Sequence, residues 1–229
     1  MFTKKARALT IPHWEGSFTH PFIKELQDGS LGAEEFRYYL IQDRYYLEHF
    51  SRIHLLIAEQ MEDKEVKEML LTGAKHLAEG EISIREGFFK ELNITDEEIN
   101  STPIAPTAYN YVSHMYRQLL DGSLKSAVAG LLPCAWLYQE IGVELIKTGS
   151  PTSLYQRWIE TYSGEDAAKD VAHQCALINR LYESAADEKE KQQMIDAFVI
   201  SSRMEYLFWD MSYTLQKWPE GDVNATSKY

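Results

Sequence analysis

Apolar residues recur at intervals of three and four along most of the chain, which is the spacing of one face of an α-helix. No segment alternates between apolar and polar residues as a half-buried strand does. Glycine, proline and serine interrupt the pattern and divide it into long segments. The sequence therefore predicts an all-α protein, with long helices over residues 33–59, 64–92, 107–120, 124–148, 167–184 and 188–218.

The domain organisation follows from the same pattern. The 229 residues, of which 45% are hydrophobic and 25% charged, have the composition of a globular protein, and no repeat or low-complexity linker divides them. Thr95 and Asp187 each precede an acid by three residues, which is the spacing of a helix N-cap. We expect a single helical domain over residues 1–218 and a polar tail over residues 219–229.

Three polar residues lie on otherwise apolar helix faces, and the first of them is Asp43. Tyr39 and Tyr46 flank the same face and can reach its carboxylate. Because burial of an unpaired carboxylate is costly, Asp43 is expected either to bond a neighbouring helix or to face a polar pocket. The apolar stripe that contains it consists of Phe36, Leu40, Leu47, Phe50, His54 and Ile57.

The second residue is Cys134, whose helix face also carries Tyr138 one turn later. Pro133 removes a backbone donor and crowds the carbonyl four residues earlier, so a kink is expected beside the thiol. Cys134 is interpreted either as a nucleophile at a cavity or as a small hydrophobic core residue, as free cysteines often are. Cys175, the other cysteine, continues a plain apolar stripe and is interpreted as core packing.

The third residue is Glu205, which interrupts the apolar face of the last long helix. It could pair with Arg203 or Arg52, but long cationic side chains can extend to solvent without drawing a carboxylate inward. Tyrosine is also abundant, with 14 residues against nine of phenylalanine. Two buried acids, a thiol beside a proline and many tyrosines are together best explained by a pocket with convergent polar groups.

Charge and composition narrow the range of partners. The net charge of −12 repels nucleic-acid backbones and anionic membranes. No run of about 18 apolar residues and no signal-peptide pattern is present, so we expect a cytoplasmic protein without nucleic-acid or membrane partners. The histidines show no metal-ligand spacing, so a metal is not expected, and no phosphate-binding glycine loop occurs. A single haem-ligating histidine would leave no pattern, and that alternative stays open.

Several motifs on these helices occur together in one known family. The most specific are Gln42-Asp43-x-Tyr45-Tyr46 and Pro133-Cys134-x-Trp136-x-Tyr138, and further matches extend from Trp14 to Trp209. In these motifs the chain resembles the TenA, or thiaminase II, family. The resemblance implies a single-domain, haem-oxygenase-like helical bundle that assembles as a homotetramer.

The resemblance also implies an activity and a set of site residues. The activity is hydrolysis that releases 4-amino-5-hydroxymethyl-2-methylpyrimidine from 4-amino-5-aminomethyl-2-methylpyrimidine and from thiamin, in thiamin salvage, without a cofactor. Cys134 would be the nucleophile and Glu205 the general acid, while Asp43 would hydrogen-bond the aminopyrimidine edge. The tyrosines that match the lining of the family's pocket are Tyr46, Tyr111, Tyr138 and Tyr162.

Two alternatives from other classes are kept beside this one. The first is a non-catalytic regulator of gene expression, which the acidic net charge disfavours if it acts by direct DNA contact. The second is a haem or tetrapyrrole binder on the same fold.

Overall fold

The computed structural model describes residues 1–78 and 82–219, with side chains left undescribed at residues 82–84. Within these ranges the chain is helical and contains no strand, which confirms the predicted all-α class. The helices are α1 (Phe2–Leu9), α2 (Ile11–Thr19), α3 (Pro21–Asp28), α4 (Ala33–Gln60), α5 (Lys64–His76), α6 (Ile82–Glu91), α7 (Asp96–Ser101), α8 (Pro106–Asp121), α9 (Leu124–Leu145), α10 (Ser153–Tyr162), α11 (Glu165–Glu183) and α12 (Glu188–Tyr213).

Both predicted N-caps are present. The Thr95 hydroxyl accepts a hydrogen bond from the backbone N–H of Glu98 at 3.1 Å, at the start of α7. The Asp187 carboxylate accepts one from the N–H of Glu190 at 2.8 Å, at the start of α12. Each bond satisfies a backbone donor that has no partner within its own helix, so these residues fix where the helices begin.

One predicted helix end differs from the structure, and another prediction falls partly outside the described residues. The helix predicted over residues 64–92 corresponds to α5, π-helical residues 77 and 78, and α6, and its continuity depends on residues 79–81, which lie outside the described residues. The helix predicted over residues 188–218 ends at Tyr213 instead, because Leu215 has a φ of 51°, which a right-handed helix cannot accommodate. The predicted polar tail lies outside the described residues from residue 220 onward.

The core lies along the contact between α9 and α12, against which α4, α8 and α11 also pack. Its largest fully buried side chains include Trp14, Trp158 and Trp209. The Tyr39 ring stacks on that of Trp209 with 5.9 Å between ring centroids. Aromatic rings thus fill the interior beneath the polar residues of α4, α9 and α12, and each such ring buries a large apolar area.

One glycine sets the distance between α9 and α10. A Cβ atom added to Gly142 would lie 2.6 Å from the backbone carbonyl carbon of Tyr162. Any larger residue would therefore push the end of α10 away from α9. The glycine lets α10 approach closely enough for Tyr162 to contact Tyr138 on α9, where the two ring centroids are 4.9 Å apart.

α9 continues across Pro133 from Leu124 to Leu145, so the proline lies inside a helix that does not end there. In the parts of the chain that are described, none of the helices combines the length and the apolar character needed to cross a bilayer.

Candidate active site

A cavity of about 190 Å³ lies among α4, α5, α9, α10 and α11. The sequence-predicted residues that line it are Asp43 from α4, Cys134 and Tyr138 from α9, and Tyr162 from α10. Residues separated by up to 119 positions in the sequence therefore meet at one cavity. Its other lining residues include Phe50, His54, His76, Ala135, Gln139, Thr161, Asp170 and Gln174.

The remaining predicted site residues do not line this cavity. Tyr46, Tyr111 and Glu205 are buried. Cys134 interacts electrostatically with the phenols of Tyr46 and Tyr111, and Glu205 interacts with the phenol of Tyr138. The rings of Tyr46 and Tyr111 pack with 4.8 Å between centroids. The three buried residues therefore adjoin the cavity residues Cys134 and Tyr138.

The partner of Glu205 is Tyr111. The Tyr111 hydroxyl donates a hydrogen bond to Glu205 Oε1 at 2.5 Å. Arg203 and Arg52, which the sequence suggested as partners, are exposed. Glu205 is thus paired with a neutral donor that belongs to the candidate site, and not with a surface cation.

Burial controls the protonation of Glu205. Its side chain is 2% exposed, and loss of hydration raises the pKa of its carboxyl group to about 8. The hydrogen bond from Tyr111 acts in the opposite direction, with a smaller effect. Glu205 is therefore mostly protonated at pH 7 and can supply a proton, as a general acid must.

Asp43, unlike Glu205, is paired with a positively charged residue. Its carboxylate forms an ion pair with the guanidinium of Arg85, through Oδ2 and Nη1, and the two residues are only 4% and 5% exposed. Arg85 comes from α6, which packs on α4 through an edge-on contact between Phe88 and Phe36 with 6.0 Å between centroids. The sequence analysis gave no role to Arg85, because the burial of an arginine depends on a partner from another helix.

The tyrosines around the cavity are held neutral. Burial raises the pKa values of Tyr46, Tyr111 and Tyr138 well above the ordinary range. Tyr138 also contacts the ring of Trp209, with 5.0 Å between centroids. These side chains can donate hydrogen bonds and present aromatic faces, but they do not supply negative charge at neutral pH.

The two cysteines differ in their surroundings. Cys134 is half-buried and lines the cavity. Cys175 is half-buried on α11, packs against the hydrophobic core and does not line the cavity. Burial raises the pKa of its thiol to about 11, so it is fully protonated at neutral pH. This is the core-packing position predicted for Cys175.

His54 is a cavity residue to which the sequence analysis gave no role. Its Nδ1 is 2.8 Å from the backbone carbonyl oxygen of Phe50, and burial lowers its pKa to about 4. The imidazole is therefore neutral at pH 7. Its signal was already visible, because His54 follows Asp43 by eleven residues and shares its helix face.

The cavity continues toward α5 and α11 into a neighbouring hollow of about 280 Å³. The two share Gly73, His76, Asp170 and Gln174. Among the described residues, no group of three or more histidine, cysteine or acidic side chains is arranged to hold a metal ion. The side chains that line the cavity supply a thiol, two carboxyl groups, two imidazoles and aromatic rings.

Comparison with known proteins identifies the family to which the chain is similar. Residues 8–215 match the model of the TENA/THI-4/PQQC family. The aminopyrimidine aminohydrolase of Bacillus subtilis (strain 168) is 36% identical over 227 residues, which cover 99% of this chain and 96% of the relative. A protein of the same name from Halalkalibacterium halodurans is 33% identical and covers 90% of this chain and 93% of its own.

Solved structures show the same fold. The crystal structure of a TenA family transcription regulator from Silicibacter sp. TM1040 has a TM-score of 0.84 at 26% identity, with 93% of this chain and 97% of that chain covered. The aminopyrimidine aminohydrolase relatives define the chain as an enzyme of the hydrolase class. The chain belongs to the TENA/THI-4/PQQC family, which confirms the resemblance seen in its motifs.

Proposed function

We propose that this protein is an aminopyrimidine aminohydrolase that acts in thiamin salvage. It releases 4-amino-5-hydroxymethyl-2-methylpyrimidine from the corresponding aminomethyl pyrimidine and from thiamin. The observation that carries the proposal is the meeting of the Cys134 thiol and the Asp43 carboxylate at one cavity, where Cys134 also interacts with Tyr111, the hydrogen-bond partner of Glu205. The names of the Bacillus and Halalkalibacterium relatives support it.

Cys134 begins the reaction by adding to a carbon of the pyrimidine ring. The new C–S bond breaks the aromaticity of the ring, and the displaced electron pair moves to a ring nitrogen, which takes a proton from Glu205. The ring then expels ammonia from the protonated aminomethyl group, or the neutral thiazole from the thiazolium of thiamin, as the C–N bond breaks and an exocyclic C=C bond forms. Water adds to the exocyclic carbon and releases one proton, which the departing ammonia can take up. The C–S bond breaks as the thiolate leaves, the ring becomes aromatic again and the ring nitrogen returns its proton to Glu205.

The other groups bind the ring. Tyr138 and Tyr162 present aromatic faces to the cavity, and a flat heteroaromatic ring can pack against them. Asp43 accepts a hydrogen bond from the exocyclic amino group. Glu205, protonated because burial raises its pKa to about 8, donates to the ring nitrogen that accepts the proton. The two carboxyl groups thus recognise a donor and an acceptor on the same ring.

The proposal includes a location and an assembly. We place the protein in the cytoplasm as a homotetramer that binds neither nucleic acid nor membranes. Static light scattering tests the assembly, and a monomeric mass would contradict it. A gel-shift assay at low salt tests the nucleic-acid claim, because any electrostatic complex is strongest under that condition.

The test of the activity compares the two cysteines. Cys134→Ala is expected to lower the rate of pyrimidine release by about 10³-fold or more, since removal of a nucleophile leaves only the uncatalysed route within the site. Cys175→Ala removes the same atoms from a thiol outside the cavity and is expected to keep most of the activity. Release is measured by chromatography of the pyrimidine product from both substrates. Equal activity of the two variants would contradict covalent catalysis by Cys134.

A further inference from the structure

The Arg85–Asp43 pair is an unusual feature for a helix interface, because both charges are buried. Removing two ions from water is expensive, and a buried pair often contributes less to stability than apolar residues of similar size. Stability alone is thus a weak reason for placing a guanidinium here. The pair also lies at the candidate site, since Asp43 forms part of the cavity wall.

Arg85 itself is not among the residues that line the cavity. Its Nη1 pairs with Asp43 Oδ2, so Arg85 reaches Asp43 without itself lining the cavity. Two other polar side chains that line the cavity, the phenol of Tyr138 and the imidazole of His54, are neutral at pH 7. Among the described residues, the cation paired with Asp43 is Arg85.

The charge of Asp43 decides which ring it can recognise. A carboxylate only accepts hydrogen bonds, whereas a protonated carboxyl group can also donate one. An exocyclic amino group on the ring is a donor and matches the carboxylate. An oxo group at the same ring position is an acceptor and matches only the protonated form. A neighbouring guanidinium favours the charged form and fixes its orientation by a charge-assisted bond.

We propose that Arg85 is a positioning residue for amino-group recognition: it holds Asp43 as an oriented carboxylate, so that the site accepts aminopyrimidines and rejects oxopyrimidines. This inference rests on the proposed function. It assigns Arg85 a role in specificity that acts through Asp43 and without contact to the substrate.

The test measures discrimination as well as affinity. Calorimetric titration gives the Kd of the hydroxymethyl aminopyrimidine product and of its analogue with an oxo group in place of the amino group. The unmodified protein is expected to prefer the amino compound by about 10²-fold or more, because the analogue leaves a buried carboxylate facing an acceptor. Arg85→Gln is expected to weaken binding of the amino compound by about tenfold or more and to lower the preference to less than about tenfold.

Two variants serve as controls. Arg44→Gln removes the same charge from a half-exposed arginine on α4 that pairs with Glu48 at the surface, and it is expected to change neither constant. Arg85→Lys keeps a positive charge and is expected to recover part of the preference. A folded Arg85→Gln protein with unchanged preference would overturn the proposal, because a purely structural role would weaken both ligands alike.

Arg85→Gln leaves Asp43 buried without its cation, and this can prevent folding. The double variant Asp43→Asn with Arg85→Gln contains no buried charge at this position and is expected to melt at a higher temperature than either single variant. Its preference between the two ligands should match that of Asp43→Asn within about twofold, since Arg85 acts through Asp43. A further loss of preference on adding Arg85→Gln would overturn the proposal.

The outcomes also separate this inference from the function on which it rests. If the unmodified protein neither hydrolyses nor binds aminopyrimidines, the proposed function is wrong and the role of Arg85 is overturned with it. If the unmodified protein hydrolyses them but Arg85→Gln keeps full discrimination, only the role of Arg85 is overturned.

Discussion

Asp43 and Glu205 are two acids in equivalent positions on their helices, yet their surroundings give them opposite properties. Both are almost fully buried, and both interrupt an apolar stripe. Asp43 faces the guanidinium of Arg85, whereas Glu205 accepts a hydrogen bond from the neutral phenol of Tyr111. The partner that another helix supplies, and not the position on its own helix, therefore decides how each acid behaves.

This difference has a chemical consequence. Among the described residues no cation offsets the loss of hydration at Glu205, so its pKa rises to about 8 and it holds its proton at neutral pH. A guanidinium beside a carboxylate favours the charged form. One acid is then suited to give a proton and the other to accept a hydrogen bond, a division of roles found in enzymes that use two carboxyl groups.

The largest effect is expected from removing the proton of Glu205. Glu205→Gln keeps an acceptor for the Tyr111 hydroxyl but cannot transfer a proton. We expect kcat for pyrimidine release to fall by about 10²–10⁴-fold, the usual contribution of a positioned acid, with little change in KM. Steady-state kinetics with the aminomethyl pyrimidine measure both constants.

Glu144→Gln is the matched control, because Glu144 is exposed on α9 and pairs only with Lys147 among the residues described. It is expected to leave both constants unchanged. If Glu205→Gln raised KM and left kcat intact, Glu205 would act in binding, and the proposed division of roles between the two acids would be wrong.

The same comparison shows what the sequence could predict. Asp43, Cys134 and Glu205 were found because helical periodicity is local: a polar residue on an apolar stripe is visible within two or three turns. The tyrosines that surround them were found through the family motifs. Each of these signals lies within one helix.

Arg85 could not be predicted in this way. An arginine near a helix start usually extends to solvent, and its burial depends on an aspartate 42 positions earlier in the sequence. The sequence indicated two acids at the site. It did not indicate which of them would stay protonated, because that depends on the partner that another helix supplies.

A second prediction compares the effects of the two acids on the free energy of unfolding. Glu205 has a pKa of about 8 in the folded protein against 4.5 for an unperturbed glutamate, so the unfolded chain loses this proton first as pH rises. The stability of the unmodified protein should therefore decline between about pH 4.5 and pH 8. Glu205→Gln removes this cost and should raise the free energy of unfolding by about 3 kcal/mol at pH 7.

Asp43→Asn should have the opposite sign. It leaves Arg85 buried without its counter-ion, and breaking a buried pair in this way costs about 3–5 kcal/mol. Urea unfolding at pH 5 and pH 7 measures both variants, and the gain from Glu205→Gln should shrink at pH 5. Destabilisation by Glu205→Gln at pH 7 would show that its carboxyl group is ionised in the folded protein.

The smallest effect is expected from Tyr111, which tunes Glu205 without changing its role. The Tyr111 hydrogen bond lowers the pKa of Glu205, so Tyr111→Phe should raise that pKa further above 8. The alkaline limb of the pH profile of kcat/KM, which lies near pH 8 if Glu205 must be protonated, should then move to higher pH. Loss of one hydrogen bond at the acid should lower kcat/KM at pH 7 by about tenfold or less.

Tyr116→Phe controls for loss of a hydroxyl from the same helix. Tyr116 is half-buried on α8, and its hydroxyl lies 3.0 Å from His49 Nδ1, a contact that does not involve the site. It should leave the alkaline limb in place. A limb that moved to lower pH in Tyr111→Phe would mean that the phenol stabilises the protonated form of Glu205, and an unmoved limb would assign that limb to another group. Only an upward shift agrees with an acid whose pKa is raised by burial and lowered to a smaller extent by a hydrogen bond from one neutral donor.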